Sequence, residues 1–258
     1  MPTAVITGSS SGIGFATAKL LVSQGYSVVL HAQRNLDGLQ LAARELQSSL
    51  AADAKLLCIT ADISNSQSCR DLVQACFHWN SSIDLWVNNA GVDVLTGLLS
   101  QLDFEEKLER LLKVDVMGTV RLSRLVAQRM LAETDPTYNP SIINIGWDQS
   151  ALGMEGDPGQ MFGPTKAAVT AFTSSLALTV APKVRVNTVA PGWIRTAWGQ
   201  QSASDYWNQR AIAESQLQRW GTPEDVAATI AWLASPTASF ISGQVIQVNG
   251  GRRFYPVD

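Results

Sequence analysis

Two places in this sequence combine residue types and spacing that can do chemistry. The first is Thr7-Gly8-Ser9-Ser10-Ser11-Gly12-Ile13-Gly14, set between a short β-branched run and a helical pattern. Glycines at such a turn let backbone approach a pyrophosphate, which then sits at the positive N-terminus of the following helix. Gly8, Ser10, Ser11, Gly12, Ile13 and Gly14 are therefore candidate dinucleotide contacts. The second place is the end of the next apolar run, His31-Ala32-Gln33-Arg34-Asn35, which has no carboxylate before Asp37. A carboxylate there would bind ribose hydroxyls and repel a 2′-phosphate, whereas Arg34 offers that phosphate a guanidinium fork. The pattern points to NADP(H) ahead of NAD(H), and a solvated loop cation is the other account of Arg34.

Other chemistry is thinly represented. Cys58, Cys69 and Cys76 form no CxxC, and Cys69 and Cys76 lie seven apart on one face of an amphipathic pattern. Small apolar residues beneath a helix explain them better than a metal or redox site. His31 and His78 have no ligand spacing, so no metal is expected. A net charge of −3 provides no basic field for nucleic acid or anionic lipid. No apolar run approaches the roughly 20 residues of a membrane span. The start, Met1-Pro-Thr-Ala-Val-Ile-Thr, enters a strand without a basic or cleavable leader, which makes the cytoplasm the expected location.

The elements that must position these residues alternate. Strands are expected at Thr3–Thr7, Tyr26–His31, Leu56–Thr60, Ile83–Asn88, Ser141–Ile145, Val184–Val189 and Gln244–Val248. Helices are expected at Ile13–Gln24, Leu36–Leu50, Ser66–Trp79, through Leu108–Leu131 as one long helix or two, and around Pro164–Thr179. Nearly continuous apolar strands between helical stretches mean a parallel sheet buried on both faces. With 258 residues and no linker or repeat, the expectation is one Rossmann-type domain over 1–258: a doubly wound, parallel, seven-stranded α/β sheet with helices on both faces.

Taken together, these motifs resemble the short-chain dehydrogenase/reductase family across the whole chain, in the family's order. Thr7–Gly14 is similar to its TGxxxGIG, and Asn88-Asn89-Ala90-Gly91 to its NNAG. Asp62-Ile63 resembles its adenine-contacting pair, and Pro191-Gly192 its PG motif. Gly243 with Asn249-Gly250-Gly251 resembles its C-terminal signature. The resemblance adds Asp62, Ile63, Asn89, Ala90, Gly91, Lys166, Pro191, Gly192, Ile194 and Thr196 to the implied cofactor contacts.

The catalytic pattern of that family breaks here. The family uses Tyr-x-x-x-Lys on one helical face for proton transfer, with a serine and an asparagine in support. The corresponding segment reads Phe162-Gly163-Pro164-Thr165-Lys166, so the lysine is present and the phenol is not. Trp147 aligns with the serine, although the longer spacing to Phe162 leaves Asp148 or Ser150 as alternatives; Asp115 stands at the asparagine. Candidates for a replacement acid are Lys166, Asp148, Asp115, Glu155 and Asp157. A carboxyl buried beside Trp147 and Phe162 would have a raised pKa suited to a general acid. For Glu155 and Asp157 a solvated turn is the bland account, for Asp148 the two accounts are even, and for Asp115 helix packing serves equally well.

Two functions follow from the resemblance. One is an NADP(H)-dependent oxidoreductase with a rebuilt site, acting on a small apolar or aromatic carbonyl, imine or enone. The other is a catalytically inactive NADP(H)-binding sensor or scaffold. Residues 193–220 hold Trp193, Trp198, Tyr206, Trp207 and Trp220, where the family places a substrate lid. Trp193 and Trp198 are the expected pocket residues, with Trp147 and Phe162, for a flat hydrophobic ligand; Trp220 is expected to pack before the last helix, and for Trp207 packing and pocket both stay open. A homotetramer or homodimer is expected by analogy, through the long helices and the Ile241–Val248 element.

Overall fold

The structure, a computed structural model, is described over residues 1–196 and 204–252; Trp198 lies outside these. Seven parallel strands form one sheet in the order β3-β2-β1-β4-β5-β6-β7. They are β1 Thr3–Ile6, β2 Ser27–Ala32, β3 Leu56–Thr60, β4 Leu85–Asn88, β5 Ser141–Ile145, β6 Arg185–Pro191 and β7 Val245–Val248. The order reverses between β1 and β4, and in such sheets ligands bind at the carboxyl ends beside that reversal.

Each sheet face is covered. Helices α1 (Gly12–Ser23) and α2 (Leu36–Gln47), with the helix Pro223–Ala234, close one face over Ile6, Leu30, Leu85 and Ile143. Helices α3 (Ser66–Trp79), α5 (Thr119–Ala132) and α6 (Gly156–Val180) close the other over Val5, Val29, Trp86 and Ile142. Adjacent residues of β1 and β4 thus point to opposite cores, as the period of two requires. Cys69 and Cys76 are buried on the inner side of α3, and the described residues contain no cluster of metal-ligating side chains.

Two differences from the sequence expectation matter for function. The expected helix through Leu108–Leu131 is a continuous run: α4 (Phe104–Leu111), a π-helical stretch (Leu112–Gly118), then α5. The wider π turn is invisible to an apolar period of 3.6, and it carries Asp115 inward to 2% exposure. The helix expected to start near Pro164 instead starts at Gly156, so Pro164 is internal and Phe162 and Lys166 lie one turn apart on α6. Within 193–220 the chain forms α7 (Asp205–Glu214). The helix that follows is α8 (Pro223–Ala234), opened by Pro223 and a Thr222–Asp225 capping box.

Candidate functional site

The glycine turn is held from below before any ligand is considered. Gly8 adopts φ +64°, and a Cβ there would lie 2.8 Å from the Cα of Ala90. A Cβ on Gly14 would lie 2.3 Å from the carbonyl oxygen of Gly8. Only glycine fits these positions. The Asn89 amide donates to the carbonyls of Thr7 and Gly8, each at 2.9 Å, so the NNAG segment clamps the turn. Ser11 caps α1 without a side-chain bond to it, and the first turn of α1 contains no acid, so its N–H groups and positive end face the cleft.

His31 is a support that sequence reading passed over. The Gly8 N–H donates to its Nδ1 at 3.2 Å, so that nitrogen accepts and Nε2 donates to the Ala61 carbonyl at 3.0 Å. Its backbone N–H donates to Ser9 Oγ at 2.9 Å. Burial pushes the imidazole pKa down to about 4, against the upward pull of the Ala61 carbonyl, so it is neutral at physiological pH.

One cleft of about 830 Å³ runs from this turn across the sheet edge. Every residue expected to meet the cofactor lines it except Gly14, which packs behind the turn. At its outer end lie Arg34, Gln33 and Asp62. Burial would raise the Asp62 carboxyl, but Ser64 hydroxyl and N–H bonds, Gln33 and the Arg34 charge outweigh it and hold the pKa below the usual range. Thr196 closes over the turn, its methyl 3.7 Å from where a Cβ on Gly12 would stand.

At the inner end, Lys166 reaches back from α6 to the π-helical stretch. Its Nζ lies 2.9 Å from Asp115 Oδ2, with 15% and 3% of the two side chains exposed. Asp115 Oδ1 also accepts from the Val92 N–H at 3.0 Å, tying the pair to the chain after NNAG. A longer bond of 3.4 Å runs from Lys166 to the Ile145 carbonyl. The buried pair leaves the site without the uncompensated ammonium that would acidify a neighbouring hydroxyl.

Asp148 lines neither this cleft nor the adjoining cavity. Trp147 is extended (φ −155°, ψ 135°), so successive side chains point to opposite sides. Asp148 instead accepts from the Asn249 amide at 3.1 Å and backs the Pro191-Gly192 turn. Desolvation raises its pKa, although Asn249 and the Arg252 charge pull the other way.

A second cavity, of about 500 Å³, opens from the inner end and shares Gly146, Trp147, Phe162, Lys166 and Trp193 with the cleft. Trp147 and Phe162 meet edge to face at 6.3 Å. Trp193 and Trp207, with ring centroids 5.5 Å apart, form the wall on the α7 side. Trp207 thus belongs to the wall instead of merely packing, whereas Trp220 is buried against Trp193 at 6.1 Å and borders the cofactor cleft.

Arg210, also unmarked by sequence reading, fastens α7 to this wall. Its guanidinium binds both oxygens of Glu155 at the start of α6 and Glu214 Oε1 at 2.6 Å, and lies 5.3 Å over the Trp207 ring. Glu214 in turn accepts from the Trp193 indole N–H at 2.7 Å. The Arg210 bond holds the Glu155 carboxyl below its usual pKa. Glu155, a candidate acid in the sequence, is thereby an ionised latch partner. Asp157 lines neither cavity.

A doubly wound sheet with a glycine turn, an NNAG clamp and a helical lysine at the sheet's carboxyl edge defines a nucleotide-binding oxidoreductase scaffold. The chain belongs to the short-chain dehydrogenase/reductase family, residues 8–253 matching the family model described as enoyl-(acyl carrier protein) reductase. It is 34% identical over 251 residues to the 3-oxoacyl-[acyl-carrier-protein] reductase of Aquifex aeolicus, covering 96% of this chain and 95% of that one. The 3-ketoacyl-(acyl-carrier-protein) reductase of Brucella melitensis, solved with NADH, superposes with TM-score 0.85 at 26% identity, covering 98% of both chains. A Burkholderia cenocepacia short-chain dehydrogenase solved with NADP shares the fold: TM-score 0.82, 24% identity, 97% of each chain covered.

Proposed function

We propose that this chain is an NADP(H)-dependent reductase with a rebuilt active site, acting on a small apolar or aromatic carbonyl, imine or enone. The observation that carries the reading is the union of two spaces: a polar cleft ending at Lys166, and an aromatic cavity opening from that end. Gly8, Ser10, Ser11, Gly12 and Ile13 would hold the pyrophosphate, Asp62 and Ile63 the adenine, and Arg34 the 2′-phosphate. Asn89, Ala90, Gly91, Lys166, Pro191, Gly192, Ile194 and Thr196 would hold the remainder. When bound, the reduced nicotinamide supplies a hydride. Lys166 keeps N–H donors for the ribose while Asp115 fixes its position. Trp147 and Phe162 exclude water from the reacting face. We further propose a cytoplasmic homodimer or homotetramer; no helix among the described residues is long and apolar enough to cross a membrane.

One observation favours a second reading, a catalytically silent NADP(H) sensor: Phe162 presents no proton one turn before Lys166, and Lys166 is closed on Asp115. Loss of a general acid typically costs on the order of 10²–10⁴-fold in rate but leaves cofactor binding nearly intact. Both readings share the cofactor, which calorimetric titration tests. Wild type should bind NADPH at least tenfold more tightly than NADH, and Arg34→Asp should erase that preference. Equal affinities in wild type, or equal losses in the variant, would overturn the NADP(H) assignment.

A further inference from the structure

We infer that the aromatic cavity is built for a planar organic cation, of the class of iminium ions and N-alkylated heteroaromatic rings, in preference to a neutral carbonyl compound. This deepens the reductase reading and rests on it only for the reaction; the binding claim stands on the cavity alone.

The walls carry the first part of the argument. Trp147, Phe162, Trp193 and Trp207 present four aromatic rings to one space of about 500 Å³. Such faces attract a cation through their quadrupoles, most strongly where water is excluded. The charges behind these walls are balanced: Asp115, Glu155 and Glu214 are set against Lys166, Arg210 and the nearby charge of Arg252, so the attraction comes from the rings themselves. Glu214 also accepts the Trp193 indole N–H, which increases electron density on that ring.

The proton inventory carries the second part. Among the described residues lining the cavity, only Ser204 and Lys166 carry a hydroxyl or an ammonium proton. A serine hydroxyl is too weak an acid to protonate an alkoxide's precursor during reduction. If Lys166 gave up a proton, the carboxylate of Asp115, 3% exposed, would lose its counter-ion, a costly state in a buried pair. Adding a hydride to C=O leaves an alkoxide that requires a proton. Adding it to the carbon of C=N⁺ forms the new C–H bond with the hydride's electron pair while the π pair moves onto nitrogen. The product is a neutral amine and the reduced nicotinamide is oxidised, so no proton is needed. An aromatic box whose described lining residues include no free acid suits the second acceptor.

The test uses matched shapes. Calorimetry with the whole chain should show N-methylisoquinolinium binding at least tenfold more tightly than 2-methylnaphthalene, with and without NADPH. Trp193→Leu should weaken the cation severalfold, and Trp193→Phe should restore most of the loss, which separates ring loss from misfolding. Equal or tighter binding of the neutral ring would overturn the proposal. In a parallel assay, N-methyl-3,4-dihydroisoquinolinium should be reduced by NADPH at least tenfold faster than 2-tetralone. Faster ketone reduction would overturn the cation preference while leaving the reductase reading intact. A bound cation with no turnover of either compound would support the cavity assignment and favour the sensor.

Discussion

Asp115 and Phe162 decide together what Lys166 can do. Removing the carboxylate strands an ammonium that is 15% exposed, so Asp115→Ala should lower stability by about 3–5 kcal/mol in urea unfolding. Adding Lys166→Met should recover much of that loss; an unrecovered double variant would mean the pair is not what holds this region. Phe162→Tyr places a phenol one helical turn before Lys166, and should raise 2-tetralone reduction at least tenfold relative to the iminium substrate. No change would show that Lys166, held by Asp115, cannot support proton transfer. His31 has its own signature. Its pKa falls from 6.5 unfolded to about 4 folded, so the unfolded state binds the extra proton. Its contribution, on the order of 3 kcal/mol, is full above pH 6.5, declines as pH falls through that window and is lost below about 4. Unfolding of His31→Gln across this range should therefore show a shallower acid decline than wild type.

At the scale of elements, α7 is held by side chains far apart in sequence. Arg210 joins Glu155, 55 positions earlier, to Glu214 on its own helix. Severing it should loosen the Trp193–Trp207 wall without touching the cofactor turn. Arg210→Met should raise the KM of the acceptor substrate about tenfold while NADPH affinity stays within twofold; an equal loss of both would show a global effect. Sequence reading could not find this latch, because a charged residue on a helix and a glutamate in a glycine-rich turn each look solvated until the fold joins them. The π-helical placement of Asp115 was hidden for another reason: one widened turn leaves the local residue types unchanged. The glycine turn, by contrast, was legible, because its residues, the strand before it and the helix after it are contiguous.

For the molecule as a whole, the sheet was readable from alternating apolar strands and amphipathic helices, with ends displaced by a residue or two. Side-chain direction was less readable: Trp147 and Asp148 are adjacent yet face opposite ways, which only the extended backbone at 147 determines. The surface retains apolar groups that a solitary chain would leave wet, notably Phe240, fully exposed, with Trp232 and Val245 nearby in sequence. Light scattering should report a homodimer or homotetramer, and Phe240→Asp with Val245→Asp should lower its mass; a monomeric wild type would contradict that assignment. The central claim, a reductase whose lost phenol is replaced by a rebuilt pocket, is tested most directly by turnover. Purified protein with NADPH should consume reduced-nicotinamide absorbance when offered cyclic iminium, imine, enone and aromatic ketone acceptors, fastest with the iminium. Tight NADPH binding with no consumption across that panel would contradict the account and leave a cofactor sensor.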